Sequence, residues 1–262
     1  MKRRRNLFFV QENGKAGWLG ALLNVFLVMG LFAAVFWLSL GAIDVHLEFG
    51  FLWQYRQRIW DGFWMTIGIS AASLVLSLLI GILSAAGCSS SLLFARYFCG
   101  IYVKFIRGTP LIMQIYLFFY IVGTAWGVEN RFVAGVMILS TFEGAYISEI
   151  IRGSLLSLEE SQLEAARAVG FTQRQTLRYV ILPQLVTRTL PALTGQFASI
   201  IKDSSLLSMI AVIELTQAIR EITAVNFRMF ECYLLLGLMY LCLTLPVSFV
   251  SKRLERRFQY EN

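Results

Sequence analysis

The chain has 262 residues, of which 57% are hydrophobic and only 15% charged, whereas soluble domains carry roughly 45–50% and about 25%. That balance excludes an ordinary water-soluble domain, because the apolar residues are gathered into runs long enough to cross a bilayer. The net charge of +7 calls for no nucleic acid, since basic juxtamembrane segments are attracted to anionic headgroups.

The start, Met1-Lys2-Arg3-Arg4-Arg5, has the charge of a secretory n-region. The apolar stretch behind it is much longer than a signal h-region of about 7–15 residues, so it reads as an uncleaved signal anchor. The arginines before Phe8 and Phe9 faintly resemble a twin-arginine signal, but plain topogenic charge accounts for them. No charge occurs from Ala16 to Ile43, Gly62 to Ala95, Gly108 to Val128 or Cys232 to Ser251. A hydrocarbon core of about 30 Å needs about 20 such residues in a helix, so each run predicts a span. Two further runs are interrupted, Phe132–Ser148 by Glu143 and Thr189–Ile213 by Lys202 and Asp203. Together they predict an all-α integral membrane protein with about six transmembrane helices.

Orientation follows from the basic residues. Most Lys and Arg fall before Ala16, around Arg96–Arg107, between Arg152 and Arg188, and after Ser251; the alternate segments hold Arg56, Arg58, Arg131, Arg220 and Arg228. The positive-inside rule therefore places the N- and C-termini in the cytoplasm. Between the first span and Gly62 lies an outer segment, Asp44–Asp61, whose Trp53, Tyr55 and Trp60 suit a membrane interface. Residues 1–61 thus form an N-terminal part, and 62–262 a second block. Cys88, Cys99, Cys232 and Cys242 show no disulfide or metal-ligand spacing. The single histidine, His46, reads as a loop residue.

The cytoplasmic loop 151–188 carries the most information. Ser157-Leu158-Glu159-Glu160 fits a capping box, a run of helix formers follows, and Gly170 stands where a left-handed residue ends a helix. Thr172-Gln173-Arg174-Gln175 opens a second helix in the same way, and Pro183 closes it. At the entry to the third span, Thr109 is expected to cap and Pro110 to take the first helical position, with Arg107 a candidate contact between subunits. Within the membrane, Gln196, Ser199 and Asp203 share a helical face with Lys202 at its edge. Ionisable groups at that depth face a bundle interior or a water-filled path. An ion pair is the structural alternative. Glu143, on the fourth helix, has two candidate partners: Lys202, or the amino or cationic group of a substrate.

Glu164-Ala165-Ala166, Gly170 after three residues, then Leu182-Pro183 resembles the EAA loop of permease subunits in bacterial ABC importers, with Val180 at the usual isoleucine. Arg107-Gly108-Thr109-Pro110, Gly144-Ala145-Tyr146 with Glu149, Arg152 and Gly153, Gln196-Phe197, Lys202-Asp203-Ser204-Ser205 and Leu254-Glu255-Arg256-Arg257 resemble its polar amino-acid uptake branch. The likeness runs from about Gly62 to the end. It implies a five-helix permease core with one extra N-terminal helix, in the bacterial cytoplasmic (inner) membrane. The departures are that extra helix, Phe142-Glu143 in place of a small or polar pair, and Val212-Ile213 where a proline commonly precedes Glu214-Leu215.

The resemblance further implies a second permease subunit (the same or a similar chain), a dimer of ABC ATPase subunits, an external solute-binding protein and an amino-acid substrate. Glu164, Ala165, Ala166, Gly170, Leu182 and Pro183 would then dock on the ATPase. Glu143, Gln196, Ser199, Lys202 and Asp203 would line the substrate path. No phosphate-binding G-x-x-x-x-G-K-[ST] loop is present, so ATP and Mg are expected on the separate ATPase, with no cofactor or metal here. Another small polar solute is the alternative cargo. A membrane-embedded enzyme would need a catalytic constellation not seen in the spans, and a self-contained channel or secondary transporter has no use for a capped docking loop.

Overall fold

A computed structural model of the chain describes residues 18–43 and 46–259, with side chains to 254. Lys2–Arg5, Lys15, Asp44 and the side chains of Glu255–Arg257 lie outside the described residues. The described structure is helical throughout its regular elements, and the chain divides into two compact units, 1–49 and 50–262.

The first unit holds α1, Trp18–Ala42, whose uncharged side chains are exposed nearly all round, as in a helix facing lipid. The second opens with a 3-10 turn, Gly50–Tyr55, running into α2, Arg56–Cys88. Then follow α3 (Leu93–Gly108), α4 (Leu111–Tyr116, continued by a π-helical turn to Gly123), α5 (Arg131–Leu156), α6 (Glu160–Ala168) and α7 (Gln173–Thr176, continued by a π turn to Ile181). The rest is α8 (Leu182–Asp203, extended by a 3-10 turn to Ile210), α9 (Leu215–Asn226) and α10 (Met229–Gln259).

Among the described residues, four helical stretches are long and apolar enough to span: Trp18–Ala42, Gly50–Cys88, Arg131–Leu156 and Met229–Leu254. The pair α3 and α4 with its continuation to Gly123 is apolar enough when taken together, but is bent by 114° at the break, a broken span or a re-entrant loop. The remaining expected run, Thr189–Ile213, falls on α8 and its 3-10 extension; α8 carries Arg188, Lys202 and Asp203 in 22 residues and is not apolar enough by composition alone.

The bend corrects the expectation at Thr109 and Pro110. Pro110 is not the first helical residue; it holds the N-cap position in extended backbone (φ −64°, ψ 139°). Thr109 ends α3 instead of capping α4, and its hydroxyl donates back to Phe105 O at 2.9 Å.

The frame of the second unit is the pair α2 and α5. Thr66, Ser70, Ser73, Ser77, Gly81 and Ser84 recur along one buried face of α2. Such small residues let helix backbones approach in a bilayer, where hydrophobicity does not drive helices together. A Cβ on Gly81 would stand 2.5 Å from Ile147 Cγ2, and one on Gly144 would stand 2.7 Å from Ile80 Cγ2. Ile69, Ile106, Ile115, Leu139 and Leu207 fill the core beside this seam.

Candidate functional site

The loop between α5 and α8 is built as a rigid bracket. Helix α6 ends in a left-handed glycine, Gly170 at φ +83°. The Gly170 N–H bonds Arg167 O at 2.9 Å and the Phe171 N–H bonds Ala166 O at 3.0 Å, the paired closure of a Schellman motif. Thr172 and Gln175 then form a reciprocal capping box at the start of α7.

Two local expectations need correction. The Ser157–Glu160 capping box does not form; Glu159 takes the N-cap position without a side-chain bond. The reason is local: α5 runs on to Leu156, so Ser157 is its C-cap with helical backbone (φ −84°, ψ −2°), and its hydroxyl donates back to Ser154 O at 2.8 Å. Arg188, on α8, donates through Nη1 to the Ser157 carbonyl and, at 2.9 Å, to its hydroxyl. Nor does Pro183 close the second helix. It is the second residue of α8, and the chain stays helical through it because the preceding turn widens. There the Leu182 N–H bonds Leu177 O, five residues back, which absorbs the donor that proline lacks.

Glu164 and Ala165 are exposed on α6, Ala166 is buried, and Leu182 and Pro183 are exposed at the start of α8. Gln184 Nε2 bridges the bracket to Gln162 Oε1 at 2.5 Å. Between the arms lies an open cleft of about 420 Å³ lined by Ala165, Ala166, Val169, Phe171, Tyr179 and Val180, among others. Val169, 76% exposed, stands at its rim with Tyr179.

The intramembrane residues converge only in part. Glu143 is fully buried on α5 and accepts a hydrogen bond from Gln196 Nε2 of α8. Asp203 stands beside Glu143, yet Glu143 Oε1 has no hydrogen-bond partner among the described residues. Ser199 is half-buried between Gln196 and Asp203 along α8, while Lys202 is exposed. The nearest groups to the Glu143 carboxylate are thus an amide and a second acid. The Glu143–Lys202 ion pair is not what this geometry favours. A separate apolar cavity of about 240 Å³ lies among α2, α8 and α10, lined by Ser70, Phe197, Ile201, Leu243 and Val247 with four others; Gln196 does not face it. Among the described residues, no three His, Cys, Asp or Glu side chains are placed to hold a metal ion, and all four cysteines are free thiols.

The sequence pattern of the family described as "Binding-protein-dependent transport system inner membrane component" matches residues 77–260. The chain belongs to that family. It is therefore an inner-membrane transport component with a permease fold. It is 35% identical over 217 residues to the glutamine transport system permease protein GlnP of Escherichia coli K12, covering 82% of this chain and 99% of the relative. It is likewise 35% identical over 207 residues to the L-cystine transport system permease protein TcyB of Bacillus subtilis, covering 77% and 88%. Among solved structures it superposes with a TM-score of 0.76 on an amino acid ABC transporter crystallised with histidines, at 32% identity over 81% of this chain and all of the other. The methionine transporter MetNI, at 19% identity and a TM-score of 0.62, shares the fold.

Two buried polar networks of this permease escaped sequence reasoning. Gln114, 1% exposed, staples the bend. Pro110 has no N–H to satisfy Ile106 O, so the Gln114 amide donates to it at 2.8 Å and to Thr109 Oγ1 at 2.7 Å. A lone Gln four residues after a proline was the available signal. Glu214 is the other: buried, it caps α9 by accepting from the Thr216 and Gln217 amides and takes a third bond from the Tyr240 hydroxyl at 2.9 Å. An acid two residues ahead of Thr216 has the spacing of an N-cap, but Tyr240 lies far along the chain.

Proposed function

We propose that this permease is the membrane-spanning subunit of an ATP-driven amino-acid importer. It pairs with a second permease, the same or a similar chain, and receives its substrate from an external binding protein. ATP and Mg act on a separate ATPase dimer. The observation that carries this reading is the bracket itself. Two helices are fixed by a Schellman closure, a capping box and the Arg188–Ser157 clamp, with an apolar cleft rim left exposed. A rigid, partly apolar projection suits a docking element better than a tether, because rigidity lets a displacement on one side reach the other. Glu164, Ala165, Ala166, Gly170, Leu182 and Pro183 are its proposed contact residues, and both termini and this loop lie in the cytoplasm.

In the membrane, Glu143, Gln196, Ser199 and Asp203 form the proposed substrate path, with Lys202 turned outward at its edge. Two acids set side by side, Glu143 and Asp203, suit an amino or cationic group arriving with the substrate, since a buried negative charge is costly without a positive partner. The glutamine and cystine relatives support an amino acid as cargo. Purification of the tagged chain from its host, followed by ATP-dependent uptake of a panel of labelled amino acids, tests the reading. A chain that transports without any co-purifying ATPase would refute it.

A further inference from the structure

We propose that Glu149 is a positioning residue that ties α5, the helix leading into the coupling bracket, to the elbow between α3 and α4, so that movement of the bracket is delivered to the arm Leu111–Gly123. The inference rests on the importer reading above.

Glu149 lies on α5, two turns before the helix enters the bracket. Its carboxylate binds Arg152 in a two-pronged pair, one prong at 3.1 Å. It also meets Arg107 Nη1 of α3 at 3.5 Å. Arg107 in turn lies over the Tyr146 ring, its Cζ 5.5 Å from the centroid, so a second contact holds it to α5. Arg107 stands two residues before the break at Thr109 and Pro110. A load placed on it acts at the root of the bend.

Whether that load travels further depends on the stiffness of the bend. A proline break with free carbonyls would flex and absorb it. Here Gln114 bonds across the break to Ile106 O and Thr109 Oγ1, so the far arm turns with Arg107. On the other side, the Arg188–Ser157 clamp joins both legs of the bracket, and α8 carries Gln196 onto Glu143. One displacement of the bracket therefore reaches the substrate path by two routes: directly along α8, and through Glu149 and Arg107 to the elbow.

The alternative is a plain surface ion pair. Arg107, Glu149 and Arg152 are each partly solvated, and pairs of that kind contribute little to stability. That makes the two roles separable, because removing the charge leaves the fold in place.

The test uses the complete importer, purified through a tag on this chain and reconstituted with its ATPase and binding protein. ATP hydrolysis is measured with and without the binding protein, and uptake with radiolabelled glutamine, arginine, glutamate and cystine, assayed singly. Glu149→Gln is expected to co-purify with the ATPase and keep its unstimulated hydrolysis. Binding-protein stimulation and uptake should fall about tenfold, within the usual range of coupling between sites. Arg107→Gln should reproduce that split, the double variant should be no worse than either single one, and Glu149→Asp should restore most of the stimulation. Wild-type stimulation in Glu149→Gln, multiplicative losses in the double variant, or dissociation of the complex in both the Gln and Asp variants would overturn the proposal. ATP-independent uptake by the unsubstituted chain would overturn the importer reading, and this proposal with it.

Discussion

Gly170→Val separates the angle of the bracket from its chemistry. At φ +83° the glycine lies in the left-handed region, and a Cβ built there meets nothing within 4 Å. Substitution therefore brings no clash with neighbours, and the whole cost is backbone strain. For an L-residue that strain is about 1–2 kcal/mol, with a β-branched side chain at the upper end or beyond. At about 2 kcal/mol the population of the native angle falls roughly 30-fold relative to any competing angle, since each 1.4 kcal/mol is tenfold. The two closing bonds from Gly170 and Phe171 depend on that angle, so they are lost with it. The strain is local and sits in an exposed loop, so insertion and folding of the membrane helices should survive. The assay is co-purification of the ATPase and ATP-dependent uptake across Gly170→Asn, Gly170→Ala and Gly170→Val. Asparagine tolerates the left-handed region best, so coupling should decline in that order while protein levels stay constant. Equal uptake by the valine and asparagine variants would refute the argument that the backbone at 170 sets the docking angle.

In a cysteine-free background, a cysteine introduced at Gln173 should be protected from an impermeant thiol reagent added outside, and one near Gln217 should be labelled; strong external labelling at 173 would invert the topology. Glu143→Gln removes the buried acid but keeps its shape, so the permease should stay folded while uptake weakens, most for a cationic amino acid. Unchanged uptake across acidic, neutral and basic amino acids would remove Glu143 from the substrate path. Gly81→Val should cost about 1–3 kcal/mol by overpacking, because its Cβ would overlap Ile147 on α5. Thermal unfolding in detergent should show that loss, and an unaltered melting temperature would mean that the α2–α5 seam is looser than described.

The features legible in the sequence are those decided within a few residues. The uncharged runs specify spanning helices because a bilayer leaves no other home for them. The stop at Gly170 and the box at Thr172 and Gln175 depend on neighbours within one turn, and both formed as read. Where the sequence reading failed, a longer helix or a competing partner had changed the local balance. Ser157 has the residue type of an N-cap, yet α5 runs on to Leu156 and keeps Ser157 as its helical C-cap, so the cap of α6 passes to Glu159. Pro110 looks like a first helical residue, but Gln114 stabilises an extended backbone there by satisfying the carbonyl that proline strands. For Glu143, the sequence showed a carboxylate whose depth demands a partner, with Lys202 and a substrate as the candidates. Only the packing of α8 on α5 decided that Gln196 and Asp203 stand beside it while Lys202 turns outward. Helical spacing alone does not set the rotation of one helix against another. That rotation is set by the side chains that interlock between them, here the close approach of α2 and α5 at Gly81 and Gly144 and the seating of α8 against both.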